Sequence, residues 1–412
     1  MPITEKPSVP SVAGQGPPPG TPIRSFLLTD ASSPGMACQI INLGATLTHL
    51  FVPDGKHGTR DVVLGFDDLT AYRTTHDPYF GASVGRTANR IAQGKFSLPE
   101  NPEHIYRLDQ NNPPNSLHGG VDGFSFRMWD VEQLQDHEGT SLRLTMVSDH
   151  MDQGFPGRLR VHCTYRLLNS ALEIIYEAQL ENQPETDTYR TTIASLTNHA
   201  YFNLNGVPTP GSPDGVSTAL ATNHVVHMSN IDSYLVTDST SVPTGVVLPL
   251  DKIPSMDFRQ PKEISKDLAS TPGGGHGYDH FYPVQGAVKN PDEYHLRNDA
   301  QRNTPLPLVK VYSPESGIVM NMATTEPGFQ LYTANFLELP PNQVDTGHRG
   351  GHTEANFPFV GKARGGYKPH SAFCLEASKF PDAINHTQWR DQVILHSGDK
   401  YHSKTTFAFS TQ

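Results

Sequence analysis

A chain of 412 residues carrying a formal net charge of −11 argues against nucleic acid as a partner, since binding a phosphate backbone normally calls for a basic face, and suits a neutral ligand. With 36% hydrophobic and 18% charged residues it has the composition of a globular protein that builds a core, and its 35 glycines and 35 prolines disfavour long helices. No run of eighteen apolar residues is present, so no membrane-spanning helix is expected.

In chain order, residues 1–22 are rich in Pro, Gly and Ser and have neither a basic n-region nor an apolar h-region, which predicts a flexible arm, no signal peptide and a cytoplasmic protein. Short helical turns are expected around Asp67–Tyr72 and Pro261–Leu268. Leu142, Leu144 and Met146 begin a series of strands. Leu159, Val161, Cys163, Tyr165 and Leu167 alternate with Arg160, His162, Thr164 and Arg166, and Leu172, Ile174, Tyr176, Ala178 and Leu180 repeat the pattern after an Asn169-Ser170 turn. Three consecutive antiparallel strands follow from that period of two. His224 and His227 would fall on opposite faces of a strand, which is wrong for a shared metal. Three segments break the strand rhythm: 207–218, 285–307 and 339–370. Cys38, Cys163 and Cys374 fit neither a zinc spacing nor a disulfide framework and read as packed thiols. With strands throughout and no composition break, residues 23–412 are predicted to form one all-β domain, a large antiparallel β-sandwich.

Chemistry concentrates in three polar islands set among apolar or glycine neighbours: Leu117-His118-Gly119-Gly120, Asn198-His199-Ala200-Tyr201, and Phe373-Cys374-Leu375-Glu376. Two histidines and a carboxylate are the equipment for moving protons near neutral pH. Glu376 stands in an apolar run where an unpaired carboxylate is costly, so a raised pKa is expected there. Arg86 and Arg90 are four apart and would share a face on one strand, Arg90 being assigned to ligand and Arg86 left open. Tyr201, Phe281, Phe329 and Tyr332 are aromatic candidates for the apolar side of a ligand, most of them expected in the core. No H-E-x-x-H, P-loop or nucleophile-elbow motif occurs, and no cofactor or metal is expected.

The run Gly85-Arg86-Thr87-Ala88-Asn89-Arg90-Ile91-Ala92-Gln93-Gly94-Lys95-Phe96, with Pro114–Gly120 and Gly123-Phe124 after it, resembles the aldose 1-epimerase (galactose mutarotase) family. Leu196–Leu204, Met256–Arg259, Gly277–His280, Gln330–Phe336, Cys374–Glu376 and Pro381–Asn385 resemble further family motifs in the family's order, from about residue 25 to the C-terminus. The resemblance implies a supersandwich whose concave face holds a sugar, and interconversion of the α and β anomers of free aldoses such as glucose and galactose. It implies Glu376 as general base, His199 as general acid and His118 as a second histidine near the ring oxygen. Asn89, Arg90, Asp279 and Gln330 match residues that hold sugar hydroxyls. It further implies a monosaccharide substrate, no nucleic-acid or membrane partner, and a monomer or homodimer. A non-catalytic sugar-binding protein and a sugar-phosphate epimerase on the same scaffold are the alternatives. The chain departs from the family's usual residues at Ala334 and across Ser378-Lys379-Phe380, and its 339–370 connection is longer than usual, which suggests a segment bordering the pocket.

Overall fold

The structure is a computed structural model that describes residues 3–9, 21–56, 58–74, 78–136, 139–181, 190–207, 220–296, 302–337, 362 and 366–412. The segment expected to border the pocket thus lies outside the described residues except for Lys362 and 366–370, and 208–219 lies outside them as well. Among the described residues no helix is long and apolar enough to cross a membrane.

Strands organise the molecule, as the alternating pattern requires. A nine-stranded antiparallel sheet runs in the order Asp130–Asp136, Gly139–Ser148, Leu159–Leu168, Ala171–Leu180, Tyr401–Thr411, Ile318–Thr324, Leu306–Tyr312, Val225–Met228 and Lys262–Glu263. The three strands read from the sequence lie together at one end of it. Asn169 and Ser170 both adopt positive φ, 53° and 59°, which is the mirror-image turn whose twist matches a two-residue hairpin. Every inward residue of the Leu159–Leu167 alternation is fully buried, so period two here means one face on the core.

A five-stranded sheet, Ile3–Val9, Ile23–Thr29, Ala37–Ile41, Thr46–Pro53 and Thr59–Asp61, supplies much of the facing apolar layer through Phe26, Leu28, Ile40, Leu47, Leu50 and Val52. Its first strand falls within the stretch expected to be a flexible arm, and is held instead by antiparallel pairing along Ile23–Thr29. These side chains share one core cluster with Leu142, Leu144, Val161 and Ile174 of the large sheet. The Ile264–Ser270 3-10 helix overlaps the turn expected at Pro261–Leu268, and the four-residue helix Ala71–Thr74 overlaps the end of the one expected at Asp67–Tyr72. All three cysteines are buried free thiols. His224 is fully buried while His227 is half-exposed, so the two do face apart.

A third, smaller sheet matters most for function. Asp279–Pro283, Gly328–Tyr332 and Cys374–Ser378 pair antiparallel, with Gln330 opposite both Phe281 and Glu376, and Asp279 opposite Tyr332. Directly opposed residues point to the same side of a sheet. Asp279, Gln330, Tyr332 and Glu376 therefore share one face, although they come from three distant stretches of sequence.

Candidate functional site

Backbone pairing fixes each histidine before its side chain is considered. Ser116–Leu117 pairs with Arg90–Ile91, and His118 N–H donates to Asn89 O at 3.1 Å. Both Asn89 and His118 are left-handed, with φ of 61° and 52°. Asn tolerates that conformation readily, whereas at histidine it costs energy and marks a constrained position. The next residue must be glycine, because a Cβ at Gly119 would lie 1.9 Å from Gly85 O. His199 is clamped on both sides of its peptide, donating N–H to Ala82 O at 2.9 Å and accepting at its carbonyl from Gly81 N–H at 3.0 Å.

These clamps bring the two rings together, their centroids 5.2 Å apart and nearly perpendicular. Tyr201 stacks on His199 at 4.9 Å, and Tyr79 lies 4.9 Å from His118 and 6.1 Å from His199. Glu376 Oε1 is 3.5 Å from His199 Nε2, and all three titratable residues are buried. Beside them Gln330 Nε2 donates to Asp279 Oδ1 at 2.6 Å, and Arg90 Nη1 lies 4.0 Å from Asp279 Oδ2. The Asn89 side chain accepts from Arg90 N–H at 2.7 Å. The structure thus gathers all seven residues, Asn89, Arg90, His118, His199, Asp279, Gln330 and Glu376, around one location.

The electrostatics follow from burial without full pairing. Loss of water drives the Glu376 carboxyl up to about 8, with the Asp279 charge pushing the same way and Arg90 opposing. Burial lowers His199 to about 4, and His118 is held well below its usual value by burial and by the neighbouring His199 and Arg90. At neutral pH the Glu376–His199 pair therefore holds one proton between a carboxyl and an imidazole 3.5 Å apart. Moving it from oxygen to nitrogen produces a base and an acid side by side.

The donor atoms of His118, His199 and Glu376 lie within 4.8 Å of one another, a set that could converge on a divalent ion. The surrounding hydrogen bonds disfavour this. Asn89 N–H donates to His118 Nδ1 at 3.3 Å, so the neutral ring carries its proton on Nε2, the nitrogen a metal would need. The same tautomer makes Nε2–H a hydrogen-bond donor.

One expectation needs correction. Arg86 and Arg90 do not share a strand: Arg90 opens the short Arg90–Ile91 strand, while Arg86 turns the other way. Its guanidinium donates to Pro156 O at 2.6 Å, Thr192 Oγ1 at 3.0 Å, Ser148 O at 3.1 Å and Asp149 O at 3.0 Å. The break between the two residues, which puts Asn89 in the left-handed region, ends the alternation on which a shared face depended. Of the aromatic candidates, Phe281 and Phe329 are core, Tyr201 packs on His199, and Tyr332 is half-buried against Tyr201. Two neighbours of the site were not singled out from sequence. Tyr79 touches both histidines, and Asn112 Oδ1 accepts from Arg90 Nε at 3.0 Å. Asn112 sits in Asn111-Asn112-Pro113-Pro114, where turn formation already explains each residue.

Known proteins similar to this chain share one kind of activity in their names. The chain is 35% identical to a galactose mutarotase of Rattus norvegicus over 400 residues, covering 97% of this chain and 98% of that one. It is 36% identical to the Sus scrofa galactose mutarotase, with 90% of each chain covered, and 31% identical to an aldose 1-epimerase of Haemophilus influenzae, with 95% and 97% covered. Among solved structures, an aldose epimerase homologue from C. elegans superposes with a TM-score of 0.72 at 24% identity, covering 93% of this chain and 98% of that one. A galactose 1-epimerase from Lactobacillus acidophilus gives 0.71 at 21%, with 99% of each covered; both share the fold. The aldose 1-epimerase family model matches residues 27–408, and the chain belongs to that family.

Proposed function

We propose that Glu376 and His199 are the base and acid with which this aldose 1-epimerase, an isomerase of carbohydrates, interconverts the α and β anomers of free monosaccharides such as glucose and galactose. Glu376 takes the proton from the C1 hydroxyl, the C1–O1 bond becomes a carbonyl as the C1–O5 bond breaks, and His199 delivers a proton to O5. Rotation about C1–C2 exposes the other carbonyl face, and the reverse transfers close the ring. His118, with its proton on Nε2, donates a hydrogen bond near the ring oxygen. Asn89, Arg90, Asp279 and Gln330 hold the remaining hydroxyls, Asp279 as acceptor and the others chiefly as donors.

The observation that carries this reading is the 3.5 Å separation of Glu376 Oε1 from His199 Nε2 in a buried setting where neither group has its ordinary pKa. A module that only bound sugar would gain nothing from desolvating a carboxyl beside an imidazole. A sugar-phosphate epimerase would need cations aimed at a dianion, whereas Arg90 already lies 4.0 Å from Asp279 and donates to Asn112. Polarimetry on freshly dissolved α-galactose and α-glucose tests the proposal. The wild-type protein should speed the approach to the equilibrium rotation at catalytic concentration. Binding of either sugar without that acceleration would leave a carbohydrate-binding protein.

A further inference from the structure

We propose that Lys379, Glu326 and Tyr401 form a buried brace that sets the distance between the base-bearing and acid-bearing segments, making them positioning residues for the reaction. Lys379 follows Glu376 by three residues at the end of the Cys374–Ser378 strand, and Leu196 precedes His199 by three. The brace joins these two points from behind the site. Lys379 Nζ lies 3.2 Å from Glu326 Oε2, with side chains 0% and 1% exposed. Glu326 Oε1 accepts from Tyr401 OH at 2.7 Å, and that hydroxyl accepts from Leu196 N–H at 3.1 Å. The ammonium also lies 5.4 Å from the Tyr401 ring centroid. One continuous chain of polar contacts therefore runs from the strand carrying Glu376 to the segment carrying His199.

Stability is a poor explanation for such an arrangement. Withdrawing an ammonium and a carboxylate from water is costly, and apolar residues of similar volume commonly stabilise a core as well or better. What the pair supplies is direction, because an ion pair with a shared hydroxyl has one low-energy geometry where apolar packing tolerates many. Geometry is also what the site is most sensitive to, since a misplacement of about 1 Å between reacting groups costs on the order of a hundredfold in rate.

The inference rests on the acid–base assignment of Glu376 and His199, and the two fail differently: an inactive wild type fells both, whereas an active wild type leaves the brace to be judged by its variants. Tyr401→Phe removes one hydroxyl and keeps the packed ring. It should lower kcat about tenfold while KM stays within twofold, because sugar contacts are untouched. Tyr367→Phe, which deletes another buried hydroxyl donating to Gly65 O at 3.0 Å, is the control and should keep full kcat despite a similar loss of Tm. Lys379→Met alone strands a buried carboxylate and risks misfolding, so it is combined with Glu326→Gln. The double variant should fold with a Tm near wild type and lose about five- to tenfold in kcat. Wild-type kcat in Tyr401→Phe or in the double variant would overturn the brace, and so would an equal loss in Tyr367→Phe.

Discussion

Glu376 and Lys379 are three residues apart and both almost wholly buried, yet their surroundings treat charge in opposite ways. Behind the site, Lys379 has a carboxylate at 3.2 Å, and that carboxylate has a tyrosine hydroxyl on its other oxygen. At the site, Glu376 faces an imidazole at 3.5 Å and the like charge of Asp279 rather than a cation. The consequence is chemical. A charge compensated by its neighbours stays fixed, whereas a desolvated and uncompensated pair is left with a proton that moves at modest cost. Depth of burial does not separate a structural charge from a reactive one, but an opposite charge within contact distance does.

The sharpest way to break that contrast is Glu376→Gln, which preserves shape but cannot accept the C1 hydroxyl proton. Its kcat should fall by about 10²–10⁴ with sugar affinity within a few-fold. Mutarotation near the wild-type rate would remove Glu376 from the chemistry. His199→Asn comes next, with an expected loss of about a hundredfold or more, and it carries information in the pH profile. For the wild type the pair holds one proton between the values near 4 and 8, so kcat/KM should be level across that range, falling below it as a second proton binds and above it as the last one leaves. In His199→Asn the acid limb should vanish. Persistence of both limbs would assign the acid elsewhere.

Asp279→Asn has a smaller expected effect, roughly tenfold in KM through loss of a charged hydroxyl acceptor. It also tests the electrostatics directly. Removing the charge that helps raise Glu376 should move the alkaline limb of kcat/KM toward lower pH, leaving burial as the remaining upward push. An unmoved limb would mean that Asp279 is too well screened to matter.

Local sequence physics reached some of this and not the rest. The Leu159–Leu168 and Ala171–Leu180 strands were readable because alternation and an Asn-Ser turn are short-range signals, and the histidines and Glu376 stood out as polar residues in apolar or glycine settings. The parting of Arg86 from Arg90 was not readable, since it depends on a left-handed Asn89 held by His118 from across a strand pair. Tyr79 and Asn112 were missed for a related reason, because each looks locally like a core aromatic or a turn residue and gains its meaning only from what the fold brings beside it. The brace lay equally out of sight: Glu326, Lys379 and Tyr401 belong to separate strands or their ends, and a lysine in sequence gives no sign of being fully buried.

The smallest effect expected concerns stability, and it probes the contrast without any assay of catalysis. A carboxyl raised from about 4.5 to about 8 on folding binds its proton more tightly in the folded state. Its stabilising protonation is fully present below pH 4.5 and is lost as pH rises through 8. His199, lowered to about 4 from 6.5, works in the reverse sense: the folded state resists protonation, so stability falls as pH drops through that interval. The two slopes oppose each other between about 4.5 and 6.5, and above 6.5 the carboxyl acts alone. Glu376→Gln deletes only the carboxyl contribution. The Tm of the variant minus that of the wild type should therefore climb steadily from pH 5 to pH 9, by about 2–5 °C for a free-energy change of a few kcal/mol in a chain of this size. Tyr367→Phe, which leaves every carboxyl in place, should show no comparable climb. A flat difference for Glu376→Gln would mean that burial does not raise the site carboxyl, and the electrostatic account of the site would fall.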